Sequence, residues 1–212
     1  MEFLHAVIVL SNFVIIPAIT YGSQLALGAL GVTLVYGILR FSNFAHGDTM
    51  AFGTMVAILF TWWFQSIGVS IAPLPTALLA LPIAIVLTAL LLLGTDRVVL
   101  RFYRKQKSAP VILLIVSLGI MFVYNGLVRF IIGVGDQRFS DGSRFIISAR
   151  DFKKLTGLDE GLAIKTTQVI TVITAVVVVA LLFWFLKRTR TGKSMRAFSD
   201  NEDLAVLSGI NP

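Results

Sequence analysis

Apolar residues run almost unbroken through five stretches, approximately residues 18–39, 48–66, 74–94, 109–132 and 167–186. Runs of this kind predict helices, because at about 1.5 Å per residue each covers the ~30 Å of a bilayer's hydrocarbon or nearly so. A transmembrane barrel would instead show ~10-residue segments of alternating polarity. Residues 3–16 are apolar but shorter, hold His5, Ser11 and Asn12, and end at Pro17. They predict either a short first span or an interfacial helix leading into the next one. Pro75 and Pro82 predict a kink or an irregular start in the third long run. The pattern as a whole predicts an all-α, polytopic helical membrane protein with about five to six transmembrane helices.

Composition agrees. Apolar residues make up 57% of the 212, charged residues only 14%, and mean hydropathy is +0.88. Soluble domains carry roughly 25% charged residues. The net charge of +7 would suit nucleic acid, but the Lys and Arg residues sit in loops beside apolar spans, so no nucleic-acid partner is expected. Without cysteine, disulfides, thiolate metal sites and cysteine nucleophiles are excluded. The N-terminus lacks a basic region and a small-residue cleavage site, so a cleaved signal peptide is not expected.

Charge also orients the spans. The loop 95–108 carries Arg97, Arg101, Arg104, Lys105 and Lys107 against Asp96, and the tail opens with Lys187, Arg188, Arg190, Lys193 and Arg196 before Asp200. Residues 133–166 hold six bases and five acids. The two basic segments are therefore expected on the cytoplasmic side and 133–166 outside. Parity then puts the polar run Arg40 to Asp48 at or near the cytoplasmic side.

That run separates two membrane-length segments. Polar groups so close to hydrocarbon are costly unless they meet water or line a cavity, so the run is either a tight interfacial turn or the lining of a path. Asp48 reads as a cap for a helix starting near Thr49, or as part of that lining. His46 and Asp48 are too few for a metal site, which needs three or four ligands, since His5 lies far away along the chain. An intramembrane enzyme using this pair is another class of function the run allows. Small residues at four-residue spacing (Gly22 and Ala26; Ala29 and Thr33; Ala45, Thr49, Gly53 and Ala57) predict close helix packing. Leu30-Gly31-x-x-x-Val35-Tyr36 is echoed by Leu118-Gly119-x-x-x-Val123-Tyr124, and Arg40-Phe41 by Arg129-Phe130 after a one-residue shift. An inverted repeat of the kind found in transporters would produce such an echo, as would chance in apolar sequence.

In the tail, Gly192-Lys193-Ser194 resembles the end of a phosphate loop, but position 187 is Lys where that pattern needs Gly, and a membrane helix precedes it. No nucleotide site is visible, so an ATPase powering transport would be a partner. Ser199-Asp200-Asn201-Glu202 fits a capping box ahead of a short helix over about 200–208. Gly209 stands where a left-handed stop is expected, and Lys193 to Phe198 fits another turn or two.

The segment Leu27 to Asp48, with Arg40-Phe41-Ser42-Asn43-Phe44-Ala45-His46-Gly47-Asp48, closely resembles the first conserved block of branched-chain amino acid ATP-binding-cassette transporter permeases of the LivH/LivM type. The Asn-Phe-Ala-His-Gly stretch suits the LivH side. Thr189 to Phe198 followed by Asp203 to Ile210 resembles the same family's cytoplasmic coupling loop, a variant of Glu-Ala-Ala-x-x-x-Gly. Asp203 stands for the Glu and Leu204 for the first Ala, while Ala205 and Gly209 fit.

The resemblance implies a permease subunit that moves branched-chain or related amino acids, with no catalytic residue and no cofactor. Its translocation path would include Asn43, Phe44, Ala45, His46, Gly47 and Asp48, and its ATPase-coupling residues Gly192, Arg196, Ala197, Asp203, Ala205 and Gly209. The implied partners are cytoplasmic ATPase subunits, a sister permease subunit, a periplasmic substrate-binding protein and the lipid bilayer. The implied place is the bacterial inner membrane with the C-terminal end cytoplasmic. Residues 1–186 would form the permease bundle and 187–212 the coupling loop. The family also implies further spans after that loop, so the chain reads as a truncated product or fragment. A non-transporting scaffold, and urea or short amides as cargo, are the alternatives.

Overall fold

The apolar runs are helices. The computed structural model describes residues 2–69, 74–106, 108–137, 145–157 and 161–209. Helix α1 (Glu2–Leu10) passes through a π turn (Ser11–Ile15) directly into α2 (Ile16–Leu39), so residues 3–16 are neither a separate span nor a separate interfacial helix. Pro17 does not stop the helix. It lacks the N–H that would bond to Phe13, and the wider π turn just ahead takes up the crowding its ring would cause.

The helices that follow are α3 (His46–Ser66) and α4 (Ala77–Thr95). Helix α4 starts irregularly, as Pro75 suggested, with Leu78 N–H bonding Pro75 O and Leu79 N–H bonding Thr76 O. It then runs without a break through a π turn (Asp96–Leu100) into α5 (Arg101–Lys105). The basic stretch read as a loop over 95–108 is therefore mostly helix. Nothing between Thr95 and Lys105 breaks helical geometry, and Arg104 pairs with Asp96 at 2.7 Å across the π turn. Lys107 lies outside the described residues.

Helix α6 (Pro110–Ile132) opens on proline, which fits a first helical position because no N–H is needed there. The segment after it carries structure that the charge count did not reveal. A short antiparallel pair, β1 (Phe145–Ile147) and β2 (Ile164–Lys165), flanks α7 (Ala149–Thr156), which is capped by Ser148 and closed by Gly157 in the left-handed region. Helices α8 (Thr166–Arg188), α9 (Arg190–Asp200) and α10 (Glu202–Leu207) follow.

Among the described residues, four helical stretches are long and apolar enough to cross a membrane: His5–Ile38, Ala77–Lys105, Pro110–Ile132 and Thr166–Arg188. Helix α3 has 21 residues, a spanning length, but Asp48, Gly53, Thr54, Thr61 and Gln65 lower its hydropathy. This is an all-α, polytopic architecture with membrane-length helices.

The chain divides into two compact units, Gly31–Asp141 and the combination of Met1–Leu30 with Gly142–Pro212. In the first, α3, α4 and α6 pack together. Ala45 meets Ile120 and Tyr124, while Met55, Val56 and Ala84 pack with Val128 and Ile132. Helix α3 thus advances alongside α6 in the same direction, and α4 runs the opposite way. The small-residue row of α3 lies in this seam: Ala45 and Thr49 are buried, and Gly53 faces Thr88 of α4. In the second unit, Asn12 clamps the strand that leads into α8, donating to Gly161 O at 2.7 Å and accepting from Ala163 N–H at 3.0 Å.

The sequence echo does not mark equivalent positions. Gly31 packs against the His46 ring, whereas a side chain at Gly119 would meet open space; Phe41 is buried and Phe130 is exposed.

Candidate functional site: a polar turn set into the apolar helices

Helix α2 ends where Arg40 adopts a φ of 55°, a left-handed conformation uncommon for a residue with a Cβ. The chain reverses through Phe41 and Asn43 and re-enters helix at His46. Asn43 shapes the reversal, its Oδ1 accepting from Ala45 N–H at 3.1 Å and its carbonyl from His46 N–H at 3.3 Å. Phe41 is buried and anchors the turn.

This turn does not sit at the end of its neighbour. Phe44 N–H donates to Ser117 Oγ at 3.1 Å, and Ser117 in turn donates to Leu114 O at 2.7 Å. Ser117 is fully buried, at 0% exposure. It lies seven residues into α6, about 10 Å along the axis. Eight residues further on, Asn125 Nδ2 donates to Asp48 Oδ1 at 2.9 Å. The side-chain partners set the run alongside the interior of an apolar helix.

A third polar contact lies at the same level. The Tyr124 hydroxyl, on a residue 3% exposed, meets Thr95 Oγ1 at 2.5 Å. Hydrogen bonds between helices in an apolar surround hold register, because an unpaired polar group there has no water to turn to.

The reading of Asp48 as a helix cap does not hold. Helix α3 begins at His46 with Ala45 as N-cap and no side-chain cap bond. Asp48 is in the first turn, where the helix dipole favours an acid, but its carboxylate is turned to Asn125 on another helix.

The six path residues separate into distinct places. Ala45 is buried core, Phe44 and Gly47 are exposed, and Asn43, His46 and Asp48 are half-buried. The His46 ring lies over Gly31 on α2, so close that a Cβ there would stand 2.5 Å from Cε1 and 2.7 Å from Nε2. Among the described residues, no cluster of three or more His, Asp or Glu comes together. Sequence reasoning missed Gly31, Thr95, Ser117, Tyr124 and Asn125. A signal existed for three of them, since Ser117, Tyr124 and Asn125 are polar positions inside an otherwise apolar run.

The tail residues divide similarly. Gly192 and Ala205 are buried, whereas Arg196 and Ala197 are exposed and line a shallow depression with Lys193, Ser199 and Asp200. Gly209 has a φ of 81°, as a left-handed stop requires. The side chain of Asp203 lies outside the described residues. The cap of α10 is Asn201, whose Oδ1 accepts from Leu204 N–H at 3.1 Å, so the capping box read from Ser199 is displaced by two residues. Ser199 stays within α9 because that helix persists to Asp200.

Residues 14–212 match the family described as branched-chain amino acid transport system, permease component. The high-affinity branched-chain amino acid transport system permease protein BraD of Pseudomonas aeruginosa is 27% identical over 198 residues, 93% of this chain and 62% of that protein. The corresponding protein LivH of Salmonella typhimurium is 29% identical over 197 residues, 91% of this chain and 60% of that one. A probable LivH of Methanocaldococcus jannaschii is 28% identical over 200 residues, 92% of this chain and 56% of that one. The chain thus spans about 60% of the length of these relatives. No solved structure matches. With membrane-length helices, an inset polar turn and a family match over nearly its whole length, the chain belongs to the permease components of branched-chain amino acid transport systems.

Proposed function

We propose that this chain is the membrane-spanning subunit of an ATP-binding-cassette importer that carries branched-chain or related amino acids across the bacterial inner membrane. The turn from Asn43 to Asp48 lines its translocation path. A sister permease subunit completes the path, a periplasmic binding protein delivers the amino acid, and cytoplasmic ATPase subunits drive the cycle by docking on α9 and α10. The C-terminal end faces the cytoplasm, and 187–212 acts as the coupling segment.

The observation that carries this reading is the Asp48–Asn125 bond inside a set of apolar helices. Ionisable groups at such a position are expensive, and they are tolerated where they line a pathway. The chemistry suits a zwitterion. The first turn of α3 presents backbone N–H groups and the positive end of the helix dipole, which favours a carboxylate. Asp48 offers a carboxylate to an ammonium. Neither feature requires a catalytic residue, and none is assigned.

The test is uptake. Proteoliposomes holding this subunit with its sister permease, ATPases and binding protein should accumulate labelled leucine when supplied with ATP, and Asp48→Leu should abolish accumulation without loss of assembly. Full uptake by the Asp48→Leu assembly would remove the turn from the path, and absence of uptake by the unaltered assembly would reject the importer reading.

A further inference from the structure

The corner between α8 and α9 has no slack. Helix α8 ends at Arg188 and α9 begins at Arg190, leaving Thr189 as the single non-helical residue. Thr189 closes one helix and opens the other. Its N–H and its hydroxyl both donate to Phe185 O, at 3.1 and 2.8 Å. The same hydroxyl oxygen accepts from Gly192 N–H at 3.0 Å, and Thr189 O accepts from Lys193 N–H at 3.1 Å. One side chain therefore serves as C-terminal anchor and N-terminal cap at once.

Gly192 locks the corner further. It is buried, and a Cβ built on it would collide with Phe185 O and stand 2.7 Å from Leu186 Cα. These are backbone atoms, which cannot swing aside as a flexible side chain would. The first turn of α9 thus rests directly on the last turn of α8.

The next corner repeats the device. Asn201 is again the one residue between two helices: its N–H closes α9 on Ala197 O at 3.0 Å, and its Oδ1 caps α10 on Leu204 N–H. Ala205 is buried at 3% exposure.

We infer that α8, α9 and α10 form one rigid lever, and that Thr189 and Gly192 are positioning residues that convert displacement of α9 into displacement of the membrane helix α8. The inference rests on the proposed docking of ATPase subunits on α9 and α10. It reassigns Gly192, because a buried glycine packed on Phe185 and Leu186 transmits motion without touching a partner. A hinge needs residues free to change φ and ψ; here the connecting residue is bonded on both sides, and its neighbour has no room to move.

The experiment uses the reconstituted transporter and two readouts. The first is substrate moved per ATP hydrolysed. Thr189→Val removes the bifunctional hydroxyl while keeping shape; it should lower that ratio about 5- to 150-fold, the usual span of coupling between linked sites. Thr189→Ser keeps the hydroxyl and should restore the ratio. Gly192→Ala should act like Thr189→Val wherever the assembly forms; if it does not form, the Val and Ser pair decides. The second readout is the distance between spin labels on Ile173→Cys in α8 and Lys193→Cys in α9, measured by pulsed electron paramagnetic resonance. A rigid lever gives the same narrow distribution in nucleotide-free and ATP-trapped states, and Thr189→Val broadens it. A distribution that shifts between states in a transporting assembly overturns the lever, as does a Thr189→Val assembly that couples as well as the unaltered one. An unaltered assembly with no uptake would defeat the importer reading alone; the lever then stands or falls on whether Thr189→Val broadens the distribution.

Discussion

Ser117→Ala isolates the bond that seats the polar turn. Ser117 is fully buried and accepts from Phe44 N–H. Alanine fits the site, so no steric strain is introduced, but the amide loses its acceptor on the side of the turn packed against α6, where Ser117 is fully buried. A buried donor left unpaired costs about 1–3 kcal/mol. With each 1.4 kcal/mol equal to a factor of ten, local opening of the turn should become roughly 5- to 150-fold more frequent. Hydrogen–deuterium exchange on the protein in lipid nanodiscs reads this directly: peptides covering residues 41–49 should exchange faster by that factor. Peptides from α8 serve as internal control. Unchanged exchange in 41–49 would refute the claim that Ser117 holds the turn within the apolar helices.

Three further outcomes follow from the same contacts. Gly31→Ala should displace the His46 ring and lower thermal stability, and His46→Ala should relieve that loss; a double-mutant cycle should give a coupling of about 0.5–3 kcal/mol, and simple additivity would count against the contact. Tyr124→Phe removes the partner of Thr95 but leaves Thr95 bonded to Leu91 O at 3.0 Å, so the loss should lie near the low end of about 0.5–1.5 kcal/mol in denaturation. Asn201→Ala should cost about 0.5–2 kcal/mol locally and raise amide exchange in residues 202–207, with α9 unaffected beyond its last turn.

Much of the fold could be read from the pattern of residues because lipid imposes a simple rule. Backbone groups must be satisfied within a helix, so long apolar runs have one outcome. The boundaries that failed were those set by local chemistry the pattern does not carry. Pro17 looked like a stop, yet a π turn absorbs it. The bases after Asp96 looked like a loop, yet no breaker interrupts them and Arg104 pairs back to Asp96. Asp48 looked like a cap because acids favour helix starts, and only the packing of α6 against α3 shows that Asn125 claims it. The turn itself was visible as a cluster of polar residues, but its depth depends on Ser117 and Asn125, more than seventy residues away in sequence. In the tail, composition suggested helices, while the joint at Thr189 rests on a close approach between Gly192 and Phe185 that no spacing rule encodes.

On the proposed function, the turn from Asn43 to Asp48 faces a water-filled path. The chain has no cysteine, so single cysteines introduced into it report without background. In the assembled transporter, His46→Cys and Asp48→Cys should react with a water-soluble, membrane-impermeant thiol reagent, and saturating amino acid with binding protein should slow both reactions. Phe122→Cys, on an exposed apolar position of α6, should stay unreactive. Reaction at His46→Cys and Asp48→Cys no faster than at Phe122→Cys, in every nucleotide state, would show that the turn does not line such a path.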